Sequence, residues 1–81
     1  MLTFIFHTDP GHGWLEVDEM LVLSVGIRVS SCSYKRRDKL FLEEDCDAPR
    51  LIEALKVNDI EYKIISKNTD YDSPIRSYAR C

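Results

Sequence analysis

The stretch Lys39-Leu-Phe-Leu-Glu43-Glu-Asp-Cys-Asp47-Ala-Pro-Arg-Leu-Ile-Glu-Ala-Leu55-Lys-Val-Asn58-Asp-Ile60-Glu-Tyr-Lys-Ile64 decides the fold, because its apolar spacing changes from a strand period to a helical one and back. Leu40 and Leu42 point one way and Phe41 the other, which predicts a strand over residues 39–43. Asp47 is a good N-cap, Pro49 sits where a missing amide hydrogen costs nothing, and Leu51, Ile52 and Leu55 form a stripe. Together these predict a helix over 48–57. Asn58 reads as a left-handed terminator, after which Ile60, Tyr62 and Ile64 alternate with Glu61 and Lys63 as a half-exposed strand over 60–66.

Upstream, Val29 to Tyr34 is a β-type run, and Lys35-Arg36-Arg37-Asp38 reads as the charged tip of a hairpin with the 39–43 strand. Asp18 is placed to cap a short apolar helix over 19–25, which Gly26-Ile27 ends as a left-handed stop with its hydrophobic partner. Asp9-Pro10-Gly11-His12-Gly13 can only be a turn, with Gly11 and Gly13 at positive φ, joining strands over 2–7 and 14–17. Downstream, the polar segment from about residue 68 to Cys81 has Ile75 and Tyr78 as its only anchors and reads as irregular chain laid over the sheet. The order β-β-α-β-β-α-β then predicts a single α+β domain over 1–81. Its sheet is mainly antiparallel, with four to five strands and two short helices on one face. Strands 1 and 5 read as poorly guarded edges, which leaves a homodimer open.

At 81 residues the chain allows one core and no more, and 44% apolar with 31% charged residues excludes a disordered or collagen-like chain. No apolar run approaches the ~20 residues of a membrane span, and Leu2 to Phe6 has neither the basic flank nor the cleavage site of a leader. A net charge of −3 disfavours direct binding to nucleic acid. Three cysteines, Cys32, Cys46 and Cys81, match neither a disulfide framework nor a zinc ribbon, and point to a reducing cytoplasm.

His7, Asp9 and His12 put two imidazoles and a carboxylate within six positions, a set that can share a divalent metal if the acidic Glu43–Asp47 turn supplies a fourth ligand. With Arg76 or Arg80 the same groups are the types a small hydrolase uses. The simpler reading is a turn initiated by Asp9 with His12 exposed. No nucleophile elbow, phosphate loop or metalloprotease motif is present, so the expectation is a protein that is not an enzyme and needs no cofactor. Glu43, Glu44, Asp45 and Asp47 place four carboxylates in five positions, more than a helix entrance needs. Such a patch can imitate a row of phosphates and occupy a basic channel on a partner. Arg36, Arg37 and the single Trp14 are the secondary contacts, although tryptophan beside glycines is more often core.

Across Asp9-Pro10-Gly11-His12-Gly13-Trp14-Leu15-Glu16-Val17, Leu42-Glu43-Glu44-Asp45-Cys46-Asp47-Ala48 and Asp72-Ser73-Pro74-Ile75-Arg76, the chain resembles small uncharacterised proteins of bacteriophages and other mobile elements. The resemblance implies a genomic setting and carries over no catalytic residue. Short, acidic, single-domain products of mobile elements are frequently inhibitors of host defence machinery, anti-CRISPR and anti-restriction proteins among them. The expectation is therefore a cytoplasmic interaction protein that binds a host protein or nucleoprotein complex through Glu43, Glu44, Asp45 and Asp47. The alternative is a small hydrolase or metal-binding protein built on His7, Asp9 and His12.

Overall fold

The computed structural model describes residues Met1–Cys81. In chain order it contains β1 (Leu2–Thr8), β2 (Gly13–Asp18), α1 (Glu19–Val25), β3 (Tyr34–Arg36), β4 (Lys39–Glu43), α2 (Asp47–Val57), β5 (Tyr62–Asn68), a 3-10 turn at Pro74–Ser77, and β6 (Ala79–Arg80). All strands join one sheet in the order β5-β1-β2-β4-β3-β6, antiparallel at every pairing except β1 with β5. The α+β class and the order of the first seven elements are those the sequence predicts.

The sheet differs from expectation at its two edges. α2 carries the chain from β4 to the far side of β1, where β5 pairs in parallel through Leu2 with Tyr62 to Thr8 with Asn68. β1 is therefore interior, and of the two expected edges only β5 is one. The other edge is β6, a sixth strand in which Arg80 and Ala79 pair with Tyr34 and Lys35. Two residues are too few to leave an alternating pattern in the sequence.

Both helices pack on one face of the sheet. Leu15, Leu42, Leu51 and Leu55 are at most 1% exposed there, joined by Phe4, Val17, Val22, Leu40 and Ala48. Full burial of each leucine contributes about 1.5–3 kcal/mol, so this layer dominates the stability. The opposite face carries a smaller cluster of Trp14, Tyr34, Phe41 and Ile75, flanked by Tyr78. Ile75 and Tyr78 thus anchor the C-terminal segment over the sheet, as their isolation in a polar stretch suggested.

Local differences have local causes. The strand expected from Val29 begins only at Tyr34, because the arch before it is bound to α2: the Ser30 amide and the Ser30 and Ser33 hydroxyls all donate to the Asp47 carboxylate. Asp47 is consequently not the cap of α2; Cys46 holds that place without a side-chain bond. Asp18 holds the N-cap position of α1 as expected, but its side chain makes no capping bond, since it lies opposite Lys39 in the β2–β4 register and pairs with its ammonium group. Gly26 takes the expected left-handed conformation at φ 76°, whereas α2 ends with the positive φ of 54° at Asp59, not at Asn58. Gly11 and Gly13 do not have positive φ. They supply space instead: a Cβ would lie 2.7 Å from Nη2 of Arg76 at Gly11 and 2.6 Å from Cζ of Phe6 at Gly13.

Candidate functional site: the acidic end of the sheet

Because β2 is antiparallel to both β1 and β4, and β5 is parallel to β1, the ends of β1, β4 and β5 meet the start of β2 at one end of the sheet. Three loops are gathered there, at residues 9–12, 44–46 and 69–73. They bring together side chains that lie more than sixty positions apart in sequence, as the Asp9–Arg76 contact does.

Asp9 is the hub of this end. Its side chain is fully buried, and Oδ1 accepts from the Gly11 and His12 amides at 2.9 Å each and from Nη2 of Arg76 at 2.9 Å. Oδ2 accepts from the Ser73 amide at 2.9 Å and from Nε of Arg76 at 2.7 Å. A two-pronged guanidinium–carboxylate pair of this kind fixes orientation as well as charge. The Arg76 bond holds the Asp9 carboxyl far below the usual carboxylate range; burial opposes this, and the Ser73, His12 and Gly11 amides reinforce it. The same pairing raises Arg76. Asp9 thus closes the 9–12 turn and straps the C-terminal segment to the sheet with one carboxylate.

His12 inherits its position from this hub. Its amide donates to Asp9, and its carbonyl accepts from the Asp9 amide at 2.9 Å, so its backbone is held on both sides. The half-exposed imidazole lies with Nδ1 3.8 Å from Oε1 of Glu43. Glu44 is held alongside by its amide bond to the Gly13 carbonyl at 3.0 Å. One ligand atom from each of His12, Glu43 and Glu44 lies within 4.8 Å of the others.

The expected metal set is therefore not the one assembled. His7 is turned onto the helix-free face, where Nε2 meets Oε1 of Glu16 at 2.7 Å, and both oxygens of Asp9 are occupied by internal donors. Only His12 of the three approaches the acidic turn, which was the expected source of a fourth ligand.

The acidic patch is divided in the same way. Asp45 is exposed and Glu44 partly so, while Glu43 is largely covered and accepts from the Asp45 amide at 2.8 Å. Asp47 has no exposed side-chain surface, and its carboxylate is consumed by the Ser30–Ser33 arch. Trp14, at 2% exposure, is core: Arg76 lies over its ring and Tyr34 meets it edge-on. Neither Asp47 nor Trp14 can touch a partner, which corrects the expected contact set. Arg36 and Arg37 are exposed, but at the opposite end, where the β3–β4 hairpin turns with Arg37 at φ 57°. Sequence reasoning missed Asp70 and Asp72, two exposed carboxylates carried to the acidic end by β5. The only sequence signal for them was the isolated Ile75 and Tyr78 that pin the following segment.

All three cysteines are free thiols. The Cys46 thiol receives a favourable bond from Ser30, but its contact with Cys32 and its burial outweigh this and raise it, so it is not an activated nucleophile. No helix is long and apolar enough to cross a membrane. No protein-family model, curated protein or solved structure matches the chain.

Proposed function

We propose that this protein is a non-enzymatic interaction module of a bacteriophage or other mobile element, acting in the bacterial cytoplasm on a host defence nucleoprotein complex. The observation that carries the proposal is the acidic end of the sheet. Glu44 and Asp45 from one loop and Asp70 and Asp72 from another share that end; the Arg76 guanidinium beside them is bound to Asp9, with Oδ1 of Asp72 at the margin of pairing 4.0 Å from its Nε. Carboxylates on a preorganised rim present negative charge without first having to be ordered, and this favours a basic, nucleic-acid-binding surface as the partner. The resemblance to mobile-element proteins supplies the setting. The test is competition: a host complex retained by the immobilised protein from nuclease-treated lysate should be released by added DNA or RNA. Retention unaffected by nucleic acid would refute the imitation of phosphates.

A second reading, binding of a divalent metal, is favoured by the approach of His12 to Glu43 and Glu44. Imidazole with two carboxylates suits zinc or manganese and leaves coordination positions for water or a partner's side chain. A protein that takes up neither ion at neutral pH would end this reading.

A further inference from the structure

Of the two edges of the sheet, β6 has two residues, whereas β5 has seven, with neither Gly nor Pro among them and six of the seven exposed. Its one neighbour in the sheet is β1. The Glu61 carbonyl accepts from the Leu2 amide and the Thr69 amide donates to the Thr8 carbonyl, so the odd-numbered residues turn their backbone groups toward β1. The N–H and C=O groups of Tyr62, Ile64, Ser66 and Asn68 therefore point outward along the free edge, where they form a template for another strand.

The side chains add apolar surface and unpaired charge to that template. Ile64 shares the helix face with its register partner Phe4 and lines a groove of about 460 Å³ beside Pro49 and Ile52 of α2. Ile65, on the opposite face, stands between Lys63 and Lys67. Ile64 is 46% exposed and Ile65 51%, so the edge keeps uncovered apolar surface on both faces. Glu61, Lys63 and Lys67 make no ion pair within the chain.

We propose that β5 pairs antiparallel with β5 of a second copy about a dyad at Ile64, joining two six-stranded sheets into one. A dyad at a residue sets each outward-pointing backbone group against another, and the charges choose the residue. Full overlap, with the dyad at Ile65, sets Lys63 against Lys67 twice, the kind of repulsion by which edge lysines oppose such pairing. A shift to Ser66 sets Ile65 against Lys67 and gains no pair of opposite charge. A shift to Ile64 sets Glu61 against Lys67 of the second copy, twice by symmetry, and Tyr62 against Ser66. The same register brings the two Ile64 side chains together at the mouth of the apolar groove and lays the stem of Lys63 along Ile65 of the second copy. This pairing is independent of the acidic end and leaves it free, since the antiparallel arrangement carries the two acidic ends to opposite ends of the joined sheet.

Sedimentation equilibrium at low salt, over about 10 μM to 1 mM protein, tests it. Reductant is present, because the three free thiols could otherwise cross-link copies. The wild type should pass from 9.4 kDa to twice that mass as concentration rises. Glu61→Lys and Lys67→Glu, both at exposed positions, should keep the wild-type circular dichroism. Each alone turns both symmetric pairs into like charges and should raise the dimer dissociation constant about tenfold or more. The double variant Glu61→Lys, Lys67→Glu, and an equimolar mixture of the two single variants, should associate as the wild type does. The proposal is overturned if the wild type stays monomeric at about 1 mM, if a folded single variant dimerises as the wild type does, or if neither the double variant nor the mixture regains association.

Discussion

Replacing Asp47 by alanine separates a structural carboxylate from a binding one. The side chain is fully buried and accepts the Ser30 amide at 3.1 Å, the Ser30 hydroxyl at 2.9 Å and the buried Ser33 hydroxyl. Arg50 is more distant, at 3.5 Å, and remains half in solvent. Ser33 also accepts the Glu43 amide at 3.0 Å, so the carboxylate holds the arch before β3 to both α2 and the end of β4. Removing it leaves the Ser30 amide and the Ser33 hydroxyl without acceptors. Two hydrogen bonds to a charged group, at about 1.5–3 kcal/mol each, sum to about 3–6 kcal/mol. A domain of this size has only about 4–12 kcal/mol of stability in total, so Asp47→Ala should be marginally folded. Asp47→Asn keeps the shape and one acceptor oxygen, and should lose about half as much. Urea unfolding followed by the fluorescence of Trp14, the single and buried tryptophan, reads both variants. An Asp47→Ala midpoint equal to that of the wild type, with an unchanged slope, would refute the structural role.

Two further outcomes follow from the same end of the molecule. Asp9 is depressed in the folded state, so its stabilisation is complete above the ordinary carboxylate range and is lost progressively as pH falls below about 4, down to the lowest accessible pH. The urea midpoint should fall from pH 5 to pH 2, and Asp9→Asn should flatten that dependence; parallel profiles would contradict the hub. If the acidic end holds a divalent metal, His12→Ala should weaken Zn²⁺ binding about tenfold or more without changing the urea midpoint, because the half-exposed imidazole meets only Glu43, at 3.8 Å, and the tilted Trp14 ring, at 6.1 Å between centroids. Equal affinity in the variant would exclude His12 as a ligand.

The fold was legible wherever a side chain's own neighbours in sequence decide its environment. The alternation of Leu40, Phe41 and Leu42 and the stripe of Leu51, Ile52 and Leu55 placed β4 and α2 almost to the residue, and Gly26 ended α1 as expected. What the sequence concealed depends on partners across space. Nothing local distinguishes an aspartate that caps a helix from one buried under an arch fourteen positions earlier, so Asp47 read as surface. Asp9 read as a turn residue, which it is, but its bond to Arg76 spans 67 positions and has no sequence signature. The two glycines beside it read as conformational devices, and they act by admitting Arg76 and Phe6. The candidate site was legible in part: His12 and the Glu43–Asp45 turn were singled out and lie together, while Asp70 and Asp72 join them only because β5 runs parallel to β1.

The most direct test of the acidic-end proposal is a paired capture from nuclease-treated bacterial lysate, with the wild-type protein beside the double reversal Glu44→Lys, Asp45→Lys and both eluates measured by quantitative mass spectrometry. The account predicts that the wild type retains a nucleic-acid-handling complex in fixed stoichiometry and that the reversed protein, with an unchanged urea midpoint, loses it. Equal retention by both proteins, or no such complex with the wild type, would contradict it.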